Sequence, residues 1–300
     1  MVLDLLSNAA GPFLITFRET LEAALIVTII YAYLNKIGRS DLEKYLVFGV
    51  LASVIVSIIS GVIVLQFYGG LTGVAAELFE GLAAITATMV LTHMIFWMAG
   101  NARKIKGDLE QKIHLNVTNE YLIGISILAF VAVGREGLET VLFITALAIQ
   151  NTFATAIGLV SGMAVVIFLA VLMLKQIYTL NIRAFFKYTS IILVIFAAGL
   201  LGLGIHELVE VAEVYKIDLG VLAQKPYDIN PPDESNILHE KGLVGSILKS
   251  LVGYDGNPEW IRIIGYLGYW FVVGRLLMKT YYPNQYSSLS SSLGFKRKVH

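Results

Sequence analysis

Two stretches decide the fold: residues 12–34, PFLITFRETLEAALIVTIIYAYL, and residues 121–149, YLIGISILAFVAVGREGLETVLFITALAI. Each exceeds the roughly 20 apolar residues that carry a helix across about 30 Å of hydrocarbon. Yet each holds three charges near its middle: Arg18, Glu19 and Glu22 in the first, Arg135, Glu136 and Glu139 in the second. Five further windows of membrane-spanning length surround them, at 45–68, 71–99, 152–174, 188–212 and 260–278. Runs this long suit helices, because a membrane β-barrel shows alternating segments of about ten residues. The composition agrees, with 57% apolar and 15% charged residues and a mean hydropathy of +0.74; soluble domains carry about 25% charge. The expectation is an all-α membrane protein of seven transmembrane helices, surrounded by lipid in the cell membrane.

Lys plus Arg and Asp plus Glu both total 22, so the chain presents no polyanion-binding charge and nucleic acid is excluded as a partner. The absence of cysteine excludes disulfides, thiolate metal sites, iron–sulfur clusters and cysteine nucleophiles. Met1 to Phe13 has no Lys or Arg and so lacks the basic start of a signal peptide.

Orientation follows from the loops. Lys36, Arg39 and Lys44 lie between the first and second windows, and Arg103, Lys104, Lys106 and Lys112 between the third and fourth. Lys175, Arg183 and Lys187 lie between the fifth and sixth, and Arg275, Lys279, Lys296, Arg297 and Lys298 towards the C-terminus. The 2–3 and 4–5 connections carry no basic residue. By the positive-inside rule the N-terminus lies outside and the C-terminus in the cytoplasm. Residues 1–286 then form one transmembrane domain, and 287–300, Ser-rich and then basic, a disordered cytoplasmic tail.

The long loop 213–259 falls outside. It reads as an acidic, solvated connector in which Ile237, Leu238, Leu243, Val244, Ile247, Leu248, Leu251 and Val252 trace a short amphipathic helix on the outer membrane surface. A cation-attracting vestibule is the alternative. Ser53, Ser57 and Gly61, and Gly158 and Gly162, recur at four-residue spacing and let helices approach closely. Trp97, Tyr121, Tyr188, Trp260 and Tyr281 read as headgroup anchors.

The chemistry lies where hydropathy is violated. Beyond the two R-E-x-L-E copies, the third window holds Glu77 and Glu80, and the sixth His206, Glu207 and Glu210. Four helices thus carry E-x-x-E, whose i,i+3 spacing aims both carboxylates from one face. Arg18 and Glu22, like Arg135 and Glu139, stand i,i+4 and are spaced to pair. Ten such groups at a helix centre would cost at most about 25–35 kcal/mol, at roughly 2.5–3.5 each. Eight acids against two arginines leave six without a basic partner, so a cation, metal or proton, must visit. Carboxylates without cysteine are hard ligands that suit ferric iron, and also manganese, magnesium or calcium. His206 and His93 read as packing or path-lining residues rather than ligands.

The doubled motif, Arg18 to Glu22 and Arg135 to Glu139, resembles the hallmark of the high-affinity, oxidase-dependent iron permeases. Met94-Ile95-Phe96-Trp97-Met98 at the end of the third helix and the acidic loop before the last helix are also similar to that family. The resemblance spans about residues 11–280. It implies passage of iron, as the ferric ion, after oxidation by a separate extracytoplasmic ferroxidase or iron-binding protein. Glu19, Glu22, Glu136 and Glu139 would then be the ligands and Arg18 and Arg135 would orient them. Asp233 and Glu234 in the outer loop are a loose match to an iron-trafficking segment. It further suggests two inverted three-helix repeats plus a seventh helix. Glu77, Glu80, Glu207 and Glu210 break that symmetry and read as a shared outer capture site.

Iron is thus expected as transported substrate, with no bound organic cofactor and no enzymatic activity. One alternative is another cargo, manganese or lead. The other is a membrane-embedded di-metal carboxylate oxidase, although no E-x-x-E pair has the His at i+3 that such bundles use.

Overall fold

The computed structural model describes residues 2–101, 104–118, 121–148, 151–174, 182–233, 236–240 and 242–281. Helices account for the described architecture: α1 (Val2–Lys36), α2 (Glu43–Gly69), α3 (Val74–Asn101), α4 (Ile105–Thr118), α5 (Ile123–Ala148), α6 (Thr152–Leu174), α7 (Ile182–Val214), α8 (Leu243–Val252) and α9 (Trp260–Tyr281). Five of them, α2, α3, α6, α7 and α9, are long and apolar enough to cross a membrane. The chain is a multi-pass membrane protein. The motif helices α1 and α5 match these in length, at 35 and 26 residues, and fall short in apolarity because their charged triads sit mid-helix.

Each membrane window maps onto one helix, with ends moved by a few residues except in α1. That helix begins at Val2 rather than near Pro12, which lies inside it. Hydropathy locates the apolar stretch and not the start of the backbone ladder, so the first ten residues carried no signal. At the other end Gly38 adopts φ +70°, with Gly38 N–H donating to Asn35 O and Arg39 N–H to Leu34 O at 3.1 and 2.9 Å. This is a left-handed helix cap that favours glycine.

The helices interlock rather than forming two separate bundles. α1 packs most extensively on α6, α2 on α5, and α3 on α7. Exchanging α1, α2 and α3 for α5, α6 and α7 leaves that set of partners unchanged. Gly158 lies against Ala9 and Phe13, and Gly162 against Phe13 and Phe17, so α1 and α6 run parallel. Gly49 faces Ser126, Gly134 faces Ser53 and Gly137 faces Ser57, so α2 and α5 also run parallel. Gly81 faces Gly204 while Thr88 donates to Ala197 O at 3.3 Å, which makes α3 and α7 antiparallel. Ser53 and Ser57, and Gly158 and Gly162, at four-residue spacing, lie at the first two of these seams, where small residues let helices approach closely.

Two features depart from expectation. The basic 3–4 connection contains a helix, α4, whose Leu109 and Ile113 are buried against α1 and α5. Its fourteen residues are too polar for a hydropathy signal. The segment 213–259 is not only a solvated connector: its helix α8, Leu243–Val252, docks on α1 and α7. Gly253, at φ +74°, ends it against Gly199, where either glycine's missing Cβ lets the backbones touch. The tail 287–300 lies outside the described residues.

Candidate metal site

Along α1 and α5 the charged triads meet at the crossing of the two helices. One carboxylate oxygen from each of Glu19, Glu22 and Glu136 lies within 4.8 Å of the others, and all three residues are buried. Oxygens on opposite sides of one ion, each about 2.0–2.6 Å from it, stand no more than about 5 Å apart. The trio is therefore the right size to share a cation. Glu139, more open at 16% side-chain exposure, stands outside this set and pairs with Arg135.

Both arginines pair as their i,i+4 spacing suggested. Arg18 Nη2 lies 2.9 Å from Glu22 Oε1, and Arg135 Nε lies 3.4 Å from Glu139 Oε1. Each also reaches the first glutamate of its motif: Arg18 Nη1 donates to Glu19 Oε1 at 3.0 Å and Arg135 Nη2 to Glu136 Oε1 at 2.7 Å. The pairing uses only part of the donor set. Thr16 Oγ1 and the Oε2 atoms of Glu19, Glu136 and Glu139 are buried with no hydrogen-bond partner. Each unmet polar atom costs about 1–3 kcal/mol. Four carboxylates against two guanidiniums leave two negative charges when all are ionised. Surplus charge and unused hard oxygen donors together are what a di- or trivalent cation would satisfy.

Access differs on the two sides. A cavity of about 680 Å³ reaches Glu22, Arg135 and Glu136 and is bounded by Trp97 and by Asp108 and Glu110 of α4. A second, of about 660 Å³, lies beside the segment between α7 and α9, with Asn151, His206, Glu207, Glu240 and Asp255 on its walls. It touches Gly11 on α1 and Leu147 on α5 but none of the central carboxylates. About two turns separate this cavity from the central glutamates along each helix, and they include the fully buried Ile15 and Phe143. The central cluster is thus open towards α4 and sealed towards α8.

The second acidic group forms where α3 and α7 cross. Glu77, Glu80 and Glu210 all act electrostatically on Glu207. Tyr68 Oη donates to Glu80 Oε1 at 2.6 Å, and Glu77 Oε2 is buried without a partner. His206 sits between carboxylates, Nε2 3.4 Å from Glu210 Oε1 and Nδ1 3.0 Å from Glu259 Oε1. His93 is exposed on α3 and lines neither cavity, and the same holds for Asp233. Glu234 lies outside the described residues.

Sequence reasoning missed several participants. Glu259, counted only as a loop charge, is 3% exposed and anchors His206. Trp97, read as a headgroup anchor, stacks under Arg135, 4.8 Å from guanidinium carbon to ring centroid. Met94 accepts from Arg18 Nη1 at 3.4 Å. Tyr68 and Asp108 carried no signal either, since the first matters through Glu80 on another helix and the second only as part of a cavity wall.

Comparison with known proteins fits this arrangement. A protein of Archaeoglobus fulgidus described as uncharacterized is 42% identical over 271 residues, covering 90% of this chain and 95% of that one. A ferrous iron permease EfeU of Escherichia coli is 31% identical over 264 residues, 87% of this chain and 91% of its own. The ferrous iron permease EfeU of Yersinia pestis is 30% identical over 292 residues, 96% and 99% of the two chains. No solved structure matches. The model of the family described as Iron permease FTR1 matches residues 9–280, a span that includes both arginine–glutamate motifs, and the chain belongs to that family.

Proposed function

We propose that the chain carries iron across the cell membrane through the Glu19, Glu22, Glu136 and Glu139 cluster, captured first by Glu77, Glu80, Glu207 and Glu210. The observation that carries this reading is the convergence of three buried carboxylates from two helices, with unpartnered oxygens, on the wall of a cavity. In this reading α1 and α5 cross the membrane with the five more apolar helices, the N-terminus outside and the C-terminus in the cytoplasm. The two three-helix halves are then inverted repeats. The exchange-invariant pairing and the directions of the three seams support that arrangement, and α9 stands outside it.

The acids of α3 and α7 lie at one end only, so they give the symmetric frame a direction. An ion arriving outside meets Glu207 in the outer cavity and is drawn on by the two negative charges of the centre. Glu19, Glu22 and Glu136 then replace its water, and ligand exchange delivers it to the cavity above α4. Passage requires Ile15 and Phe143 to part, which gives alternating access a specific place. Arg18 and Arg135 bind the glutamates of their own motifs while no cation is bound.

The ion is ferric in this reading, supplied by a separate extracytoplasmic ferroxidase or iron-binding protein. Hard carboxylate donors favour it. The relatives' names speak of ferrous iron, which such an oxidase would consume. The chain is a carrier, neither an enzyme nor a holder of an organic cofactor. Uptake into proteoliposomes, with ferric and ferrous iron supplied separately and manganese as competitor, tests valence and cargo. Faster ferric uptake, little affected by manganese, is expected. Faster ferrous uptake without any oxidase would overturn the valence, and complete displacement by manganese would overturn the cargo.

A further inference from the structure

Arg18 and Arg135 hold equivalent places in the two motifs, but their surroundings differ. Arg18 has no exposed side-chain surface and is enclosed by Glu19, Glu22 and Met94. Arg135 is 42% exposed and lines the cavity towards α4. Its guanidinium donates to Glu136 Oε1 twice, from Nε at 3.1 Å and Nη2 at 2.7 Å, while its carbon stands 4.8 Å from the Trp97 ring centroid. Trp97 lines the same cavity.

Glu136 is also one of the three carboxylates that converge in the central cluster. A guanidinium bonded to its Oε1 and an iron ion arriving at the unpartnered Oε2 draw on the charge of one carboxylate and repel one another. Arg18 has nowhere to go. Arg135 has the cavity on one side and an indole face within cation–π range of about 6 Å. We infer that Trp97 is a positioning residue for transport: its ring seats the Arg135 guanidinium while iron holds Glu136, and the return of Arg135 to Glu136 expels the ion towards α4. The two halves therefore work unequally, with Arg18 a fixed counter-charge and Arg135 a displaceable one. This rests on the reading of the central glutamates as the iron path.

The ring contact is already made while Arg135 binds Glu136 and strengthens once the guanidinium is no longer paired there; without the ring a displaced Arg135 would keep only Glu139 and would compete more strongly with the ion. A cation–π contact of about 0.5–2 kcal/mol corresponds to roughly 2- to 30-fold. The test is binding of ferric iron, supplied as ferric citrate, to the full chain in detergent, paired with ferric iron uptake by the same variants in proteoliposomes. Trp97→Leu should weaken binding and raise KM by about tenfold while leaving the maximal rate within about twofold. Trp97→Tyr, which keeps an aromatic face, should restore most of the loss. In an Arg135→Gln background Trp97→Leu should have no further effect, a result that a purely structural role for the ring would not give. Should Trp97→Leu fail to fold, Trp97→Met, similarly apolar and without a ring, replaces it. Unchanged binding in Trp97→Leu, or an equal loss in the Arg135→Gln background, would overturn the inference. If Glu136→Gln binds iron as well as the unaltered chain, the reading beneath it fails, and this inference with it.

Discussion

Removing Arg18 should cost the protein far more stability than removing Arg135, although the two occupy the same motif position. Arg18 is wholly enclosed, with Nη1 3.0 Å from Glu19 and Nη2 2.9 Å from Glu22. Arg18→Gln would strand Glu19, which lines neither cavity, and leave Glu22, only 4% exposed, at the cavity's edge. Breaking a buried pair by deleting one partner costs about 3–5 kcal/mol. Arg135 is 42% exposed to a cavity, and Glu139 keeps some access of its own. Water entering the space left by Arg135→Gln would solvate both acids, and about 1–2 kcal/mol is expected, the lower part of the usual penalty for an unmet polar group. The gap of about 2–3 kcal/mol corresponds to roughly 4–12 °C in melting temperature, at about 2–4 °C per kcal/mol for a chain approaching this size. Thermal unfolding of the purified variants in one detergent, without added metal, measures it. Adding Glu19→Gln and Glu22→Gln to Arg18→Gln should recover much of the loss, because the stranded charges are then gone. Equal melting temperatures for Arg18→Gln and Arg135→Gln would refute the reasoning.

Other outcomes follow from single contacts. At Gly158 an added Cβ would lie 2.6 Å from Ala9 O and 2.7 Å from Phe13 N, backbone atoms that cannot yield. Gly158→Val should therefore force α1 and α6 apart and destabilise by about 1–3 kcal/mol, whereas Gly268→Ala, with nothing within 4 Å, should be neutral or stabilise by up to about 1 kcal/mol; melting temperatures decide. Tyr68→Phe removes the 2.6 Å hydrogen bond that holds Glu80 and should raise the KM for iron uptake about fivefold, the equivalent of about 1 kcal/mol, with little change in maximal rate. Glu259→Gln exchanges a charge-assisted bond to His206 at 3.0 Å for a neutral one and should lower stability by about 1–2 kcal/mol. An unchanged melting temperature would remove Glu259 as the anchor of His206.

The membrane helices were legible because hydropathy is a property of each segment alone. Arg18–Glu22 and Arg135–Glu139 were legible for the same reason, since i,i+4 geometry is fixed within one helix. What the sequence withheld depends on how helices meet. Nothing local says that Glu139 stands outside the trio formed by Glu19, Glu22 and Glu136. Nor does anything local place Trp97 beneath Arg135, or Glu259 beside His206, across 38 and 53 residues of chain respectively. α4 was missed because a fourteen-residue polar helix gains its order from burying Leu109 and Ile113 on neighbours. The docking of α8 on α7 was missed because the contact of Gly253 with Gly199 is made by backbone, which leaves no apolar signature.

The central claim is that iron passes through the two arginine–glutamate motifs. Iron accumulation in proteoliposomes, comparing the unaltered chain with Glu22→Gln plus Glu139→Gln, tests it most directly. One substitution falls in each motif, and each removes charge while keeping the side chain's shape. The account predicts uptake by the unaltered chain and none by the double variant, with both reconstituted as folded protein to equal levels. Uptake at the same rate by the double variant would contradict it and move the path elsewhere in the helix bundle.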